Sequence, residues 1–127
     1  MCGKVRYEII GQIYDVSHGH CSMCRRQHGA AFARYADINP DDFKWIPGKN
    51  IVKVYEALSY DGGCFCSECE SSIAGTTKGT ITSLTLVTVE GDPGIEPESH
   101  IFVGSKAQWH EINDNLPQFD ERPPIHG

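Results

Sequence analysis

A chain of 127 residues with 39% hydrophobic and 22% charged side chains has the make-up of one ordinary globular domain, which excludes a disordered tail or a fibrous repeat. Its net charge of −6, split as +2 over residues 1–60 and −8 over residues 61–127, argues against nucleic acid or an anionic membrane as partner. No apolar run approaches the roughly 20 residues of a membrane span. The start, Met1-Cys2-Gly3-Lys4, lacks the apolar stretch of a secretory signal, so a soluble cytoplasmic protein is expected.

Thirteen Gly and seven Pro point to many turns and short strands, and the elements read accordingly. Residues 4–10 alternate Val5, Tyr7 and Ile9 against Lys4, Arg6 and Glu8, the period of a half-buried strand. Gly11 ends it, and residues 13–16 are its expected partner. The polar stretch 22–28 followed by Gly29 reads as one or two helical turns with a glycine stop. Residues 31–36 form another strand. Asn39-Pro40-Asp41-Asp42 carries an N-cap residue, Pro at the first helical position and acids in the first turn, so a short helical turn is expected. A strand over 43–46 then closes at Pro47-Gly48. Residues 51–58 are apolar on nearly both faces and read as a central strand. Asp61-Gly62-Gly63 is the expected turn, residues 80–89 the clearest strand, and residues 100–103 a short last one. The polar, Pro-containing segment 114–127 is expected to lie across the surface or to be disordered, after a single domain spanning residues 1–113. The sum is a small all-β fold with short helical turns, held by metal.

Cysteine is the informative residue. Six occur, at positions 2, 21, 24, 64, 66 and 69, and cytosolic reductants disfavour structural disulfides among them. Cys21-Ser22-Met23-Cys24 and Cys66-Ser67-Glu68-Cys69 both have the C-x-x-C spacing, which lets a tight turn aim two thiolates at one metal ion. A thioredoxin-like redox use of either pair would need a βαβ context, which the pattern does not provide. Zn²⁺ is the expected cofactor. Spacing alone leaves open whether the two pairs share one ion.

Five motifs occur in order: residues 2–8 (CGKVRYE), 20–26 (HCSMCRR), 29–32 (GAAF), 65–69 (FCSEC) and 100–109 (HIFVGSKAQW). Together they resemble the glutathione-dependent formaldehyde-activating enzyme family, which also includes centromere protein V. The resemblance implies a tent-like or barrel-like zinc-binding β fold, a carbon–sulfur lyase activity, and a small thiol such as glutathione as partner. It further implies that Cys2, Cys66 and Cys69 hold a structural zinc, while Cys21 and Cys24 face a second, catalytic one. Three departures stand out. The first cysteine of the family's opening C-x-C would fall one residue before Met1, and Cys64 is the obvious substitute ligand. Gly19 occupies the first cysteine position of the family's C-x-C-x-x-C, leaving two thiolates for the second zinc, with His20, His18 or water to complete the set. Glu70 stands where the family usually has glycine.

Arg25 and Arg26 sit beside the second metal position, where a guanidinium fork suits a substrate carboxylate. A solvated helix face that balances nearby acids explains them equally well. The competing function is a non-catalytic module in which one structural zinc holds the fold and the surface binds a partner.

Overall fold

A computed structural model describes residues 1–46, 49–56 and 61–123. Strand β1 (Tyr7–Ile9) is followed by β2 (Ile13–Gly19), helix α1 (Ser22–His28) and β3 (Ala33–Ile38). A 3-10 turn over Pro40–Asp42 leads into β4 (Phe43–Trp45), and β5 (Val52–Glu56), β6 (Asp61–Cys66), β7 (Ser72–Thr77), β8 (Thr80–Thr85) and β9 (Ser99–Ile101) follow. Apart from α1 and short 3-10 turns, the described residues carry only strands, as the all-β reading requires. Among the described residues, no helix is long and apolar enough to cross a membrane.

Seven strands form one sheet in the order β5-β6-β7-β8-β3-β2-β9, and β1 pairs β4 in a second, two-stranded sheet. The alternation read in β1 is real. Tyr7 and Ile9 turn inward while Glu8 faces water, and Phe43 and Trp45 do the same across the pair. Those four side chains pack on a core of Ile38, Cys64, Cys66, Ile73, Ala74 and Leu84. Tyr7 stacks on Phe43 with ring centroids 5.2 Å apart.

The helical expectations hold. Gly29 caps α1 in the left-handed conformation (φ 59°), and the Asn39 side chain accepts from the Asp41 N–H. Four strand expectations need correction. Residues 13–16 do not pair with β1; β2 lies between β3 and β9, because β1 is taken up by β4 through Tyr7↔Trp45 and Ile9↔Phe43. β5 is an edge strand, with Val54 and Tyr55 exposed, since apolar β-formers suit an edge as well as a centre. Ala57 and Leu58 of that expected strand, and the Pro47-Gly48 turn, lie outside the described residues. Residues 61–63 continue β6 instead of turning: a Cβ at Gly62 would collide with the Tyr55 carbonyl, so glycine there permits close strand approach. The strand read over 80–89 stops at Thr85, where Leu86–Thr88 form a 3-10 turn whose Thr88 hydroxyl bonds Tyr7 Oη at 2.6 Å.

Segment 114–123 lies along β9. His100 N–H donates to Pro117 O, Phe119 N–H to His100 O, and Val103 N–H to Phe119 O, at 2.9–3.0 Å. This anchors the stretch that carries Asp114 beside the end of β2.

Candidate metal centres

The first thiol cluster closes the chain over a long distance. Cys66 ends β6, Cys69 sits in the turn before β7, and the Glu70 N–H donates to Cys66 O at 2.8 Å to close the knuckle. Cys2 arrives from the N-terminus, its Sγ 3.7 Å from Cys66 Sγ and its N–H 3.4 Å from Cys69 Sγ. All three sulfurs lie within 4.8 Å of one another. Tetrahedral zinc with Zn–S bonds of about 2.3 Å separates its sulfurs by about 3.8 Å, so the Cys2–Cys66 distance already fits that edge. Hydrogen bonds from Ser71 and the Cys2 N–H pull Cys69 down to about 5, which favours the thiolate a metal requires. Cys2 moves up on balance: the Lys4 backbone N–H lowers it, but its bonds to Cys69 and Cys66 and its desolvation outweigh that.

Cys64 stands apart from this set. It is fully buried among Ile73, Ala74 and Leu84, and burial pushes its thiol up to about 11. In this arrangement it is a core side chain.

The second cluster is local. Cys21 is the N-cap of α1 and accepts from the Cys24 N–H at 3.3 Å, which folds the two sulfurs to within 2.8 Å. That is shorter than a zinc-spanning edge, so the pair must open by about an ångström to share an ion. Interaction with the Cys24 thiol and with backbone N–H groups brings Cys21 down to about 6, while the same contact and burial push Cys24 up. The contact thus favours the thiolate on Cys21 and the thiol on Cys24. A Cβ built on Gly19 stands 3.6 Å from Cys24 Sγ and 3.8 Å from the Ala33 carbonyl, which is ordinary contact. A Cβ at this position is therefore accommodated beside Cys24.

His20 goes elsewhere. Its ring is fully buried, its Nε2 bonds His100 Nδ1 at 2.8 Å, and its Nδ1 has no partner among the described residues. It does not converge with Cys21 and Cys24; among the described residues, the donor sets within 4.8 Å are Cys2–Cys66–Cys69 and His18–His100–Asp114. Burial, followed by the neighbouring His100, lowers both His18 and His20 to about 4, so both rings are neutral at pH 7. Arg25 uses its guanidinium on the fold, Nε donating to His20 O at 3.2 Å and Nη2 to Ser105 O at 3.1 Å. Arg26, its neighbour, is exposed.

Sequence reading weighed His18 only as a spare ligand for the cysteine pair and passed over His100 and Asp114. The available signal was His18-Gly19-His20, two imidazoles on one face of a strand. Its partners were hidden because a parallel pairing between β2 and β9 cannot be read from either segment.

Two comparisons relate the chain to known proteins. A crystal structure of a Rhodobacter sphaeroides protein, a structural-genomics target, matches with a TM-score of 0.56 and 23% identity over 72% of this chain and 84% of that one, which shows a shared fold. No curated protein matches significantly. The family model described as glutathione-dependent formaldehyde-activating enzyme matches residues 1–105, covering both thiol clusters, and the chain belongs to that family.

Proposed function

We propose that this protein is a zinc-binding carbon–sulfur lyase acting on the adduct of formaldehyde and a small thiol of the glutathione type. Cys2, Cys66 and Cys69 are its structural zinc ligands, and Cys21 with Cys24 forms the reactive centre. The observation that carries the reading is the place of Gly19: a Cβ there would sit in ordinary contact with Cys24 Sγ, so a third thiolate at this position would stand beside the pair.

Cys21 and Cys24 would hold a zinc ion, which when bound would supply a positive charge that favours the deprotonated form of an incoming thiol. The chain supplies the rest. At the start of α1 the Cys21 thiolate is favoured first by the Cys24 thiol and then by backbone N–H groups. Arg25 fixes the Cys21 approach by tying His20 O to Ser105 O, and the exposed Arg26 is left to meet a substrate carboxylate. In the synthetic direction a carbon–sulfur bond forms and the thiol proton passes to the aldehyde oxygen; the reverse breaks that bond and returns the proton to sulfur. Water would complete the ligand set of Cys21 and Cys24, since His20 is engaged with His100.

A second reading, a non-catalytic zinc module, is favoured by the two-thiolate count, since zinc sites ordinarily use at least three protein ligands. Zinc per chain and NMR exchange of formaldehyde with glutathione, measured for the natural protein and Gly19→Cys, separate the two. The expected result is partial occupancy of the second site with weak exchange in the natural chain, and more zinc with faster exchange in the variant. More zinc without exchange would establish the module. Unchanged zinc would remove Gly19 as a ligand position and the catalytic assignment of the pair with it.

A further inference from the structure

Apart from the cysteines, the molecule gathers imidazoles. β2 and β9 run parallel with His18 opposite His100, so the two side chains leave the sheet on the same face. Their rings lie 4.6 Å apart at 26°. Both residues are buried, and both reach the wall of a cavity of about 410 Å³. Asp114 reaches in from the segment that β9 holds, its carboxylate straddling His100 Nε2 with both oxygens at 3.0 Å. That carboxylate is itself oriented by the Leu116 N–H at 3.0 Å.

We propose that His18, His100 and Asp114 form a binding site for a divalent first-row transition ion, separate from both thiol clusters and open to the cavity. Each residue offers a donor atom within 4.8 Å of the others. Adjacent ligands on an ion with bonds of about 2.1 Å are about 3.0–3.4 Å apart, and the His100–Asp114 edge already meets that spacing. Two imidazoles and a carboxylate suit the middle and later ions of the row better than Mg²⁺ or Ca²⁺. His20 gives His100 the outer partner that ligating histidines use, Nε2 to Nδ1 at 2.8 Å, and so fixes the ring with Nε2 toward Asp114. The cavity leaves room for solvent or a small ligand on the remaining positions.

One group opposes the ion. Arg34 places Nε 3.4 Å from His18 Nδ1 and its guanidinium 5.3 Å from the Phe32 centroid. It engages His18 Nδ1 and adds a positive charge beside the site, and its side chain is exposed. Glu111 and His110 also line the cavity, so the field there combines both signs.

The opposing roles of Asp114 and Arg34 give the test its signs. Protein given only the zinc its thiol clusters take up, then freed of excess ion and checked for zinc content so that the imidazole site is left vacant, is titrated with Co²⁺ while the histidine ring signals are followed by NMR. Paramagnetic broadening should reach His18 and His100 first, at micromolar ion. Asp114→Asn, which keeps a hydrogen-bonding group beside His100, should weaken binding by roughly tenfold or more. Arg34→Ala, at an exposed position, should strengthen it. Absence of broadening, broadening that Asp114→Asn leaves unchanged, or cobalt uptake seen only as a thiolate charge-transfer band would each overturn the site. A plain structural clamp between tail and sheet would respond to Asp114→Asn in stability alone and to Arg34→Ala not at all. The result is independent of the lyase reading, because neither variant touches a cysteine ligand.

Discussion

The two thiol clusters are built from the same C-x-x-C spacing and do opposite things to the chain. Cys2 meets Cys66 and Cys69 across 64 and 67 residues, pinning the N-terminus to the β6–β7 turn. Cys21 and Cys24 meet within one turn of α1, a contact that local backbone geometry makes by itself. An ion at the first cluster holds closed a loop of more than half the chain, so its binding energy becomes folding energy. At the second, an ion closes nothing that α1 has not already closed. On the proposed reading the long-range set would serve structure, and the local pair would leave ligand positions for chemistry.

The sharpest way to break this division is to compare Cys66→Ser with Cys24→Ser by thermal melting. Cys66 is buried in the core as well as bonded to Cys2, so its loss should cost about 3 kcal/mol, on the order of 10 °C in Tm. Cys24→Ser should cost less than half of that. Chelation should act in the same direction: hydrogen exchange at residues 2–5 and 66–71 should rise well before exchange in β7, β8 and β3. Equal losses in the two variants would mean that both pairs share one structural role, as in a four-cysteine ribbon.

How much of this was legible depended on whether the signal was local. The alternation in β1, the Gly29 stop of α1 and the Asn39 cap are set by neighbouring residues, and all three stand in the structure. Pairing was not legible. Residues 51–58 carried the right residue types for a strand, but nothing in them tells an edge from a centre, and β5 is at the edge. Gly62 and Gly63 read as a turn because glycine permits one; they serve β6 because neighbours press too close for a Cβ. Of the thiols, Cys2 joined its cluster through family resemblance, since a position 64 residues away leaves no spacing to read. The His18–His100 contact was invisible for the same reason, depending on a parallel register between distant strands.

Glu70 sharpens the account of the long-range cluster. It follows Cys69 with φ 66°, a left-handed conformation that costs an L-residue roughly 1–2 kcal/mol and glycine almost nothing. The strain persists because the Glu70 N–H must reach Cys66 O to close the knuckle. Glu70→Gly should therefore stabilise the fold, by about 0.5–1 kcal/mol once the added freedom of the unfolded chain is subtracted. Denaturant titration of the zinc-loaded protein measures it. A destabilised variant would show that the Glu70 side chain contributes more to the knuckle than its backbone costs.

The smallest expected effect tests the local cluster's scaffold through His28, the last residue of α1. Its Nε2 lies 2.9 Å from Tyr35 Oη, and the two rings pack edge to face with centroids 5.3 Å apart. Burial holds the His28 pKa below its ordinary value. Between the folded and unfolded values the unfolded chain binds the extra proton, so acid favours unfolding: the contribution is present above about pH 6.5 and is lost as pH falls below it. Acid also releases zinc from thiolates, which would hide the effect in the natural protein alone. His28→Gln removes the titration and keeps a hydrogen-bonding partner for Tyr35. The drop in Tm from about pH 8 to about pH 5.5 should thus be larger for the natural protein than for the variant, with metal release common to both. Equal drops would mean that His28 takes up its proton without leaving its place against Tyr35, so that its protonation costs the α1–β3 contact nothing.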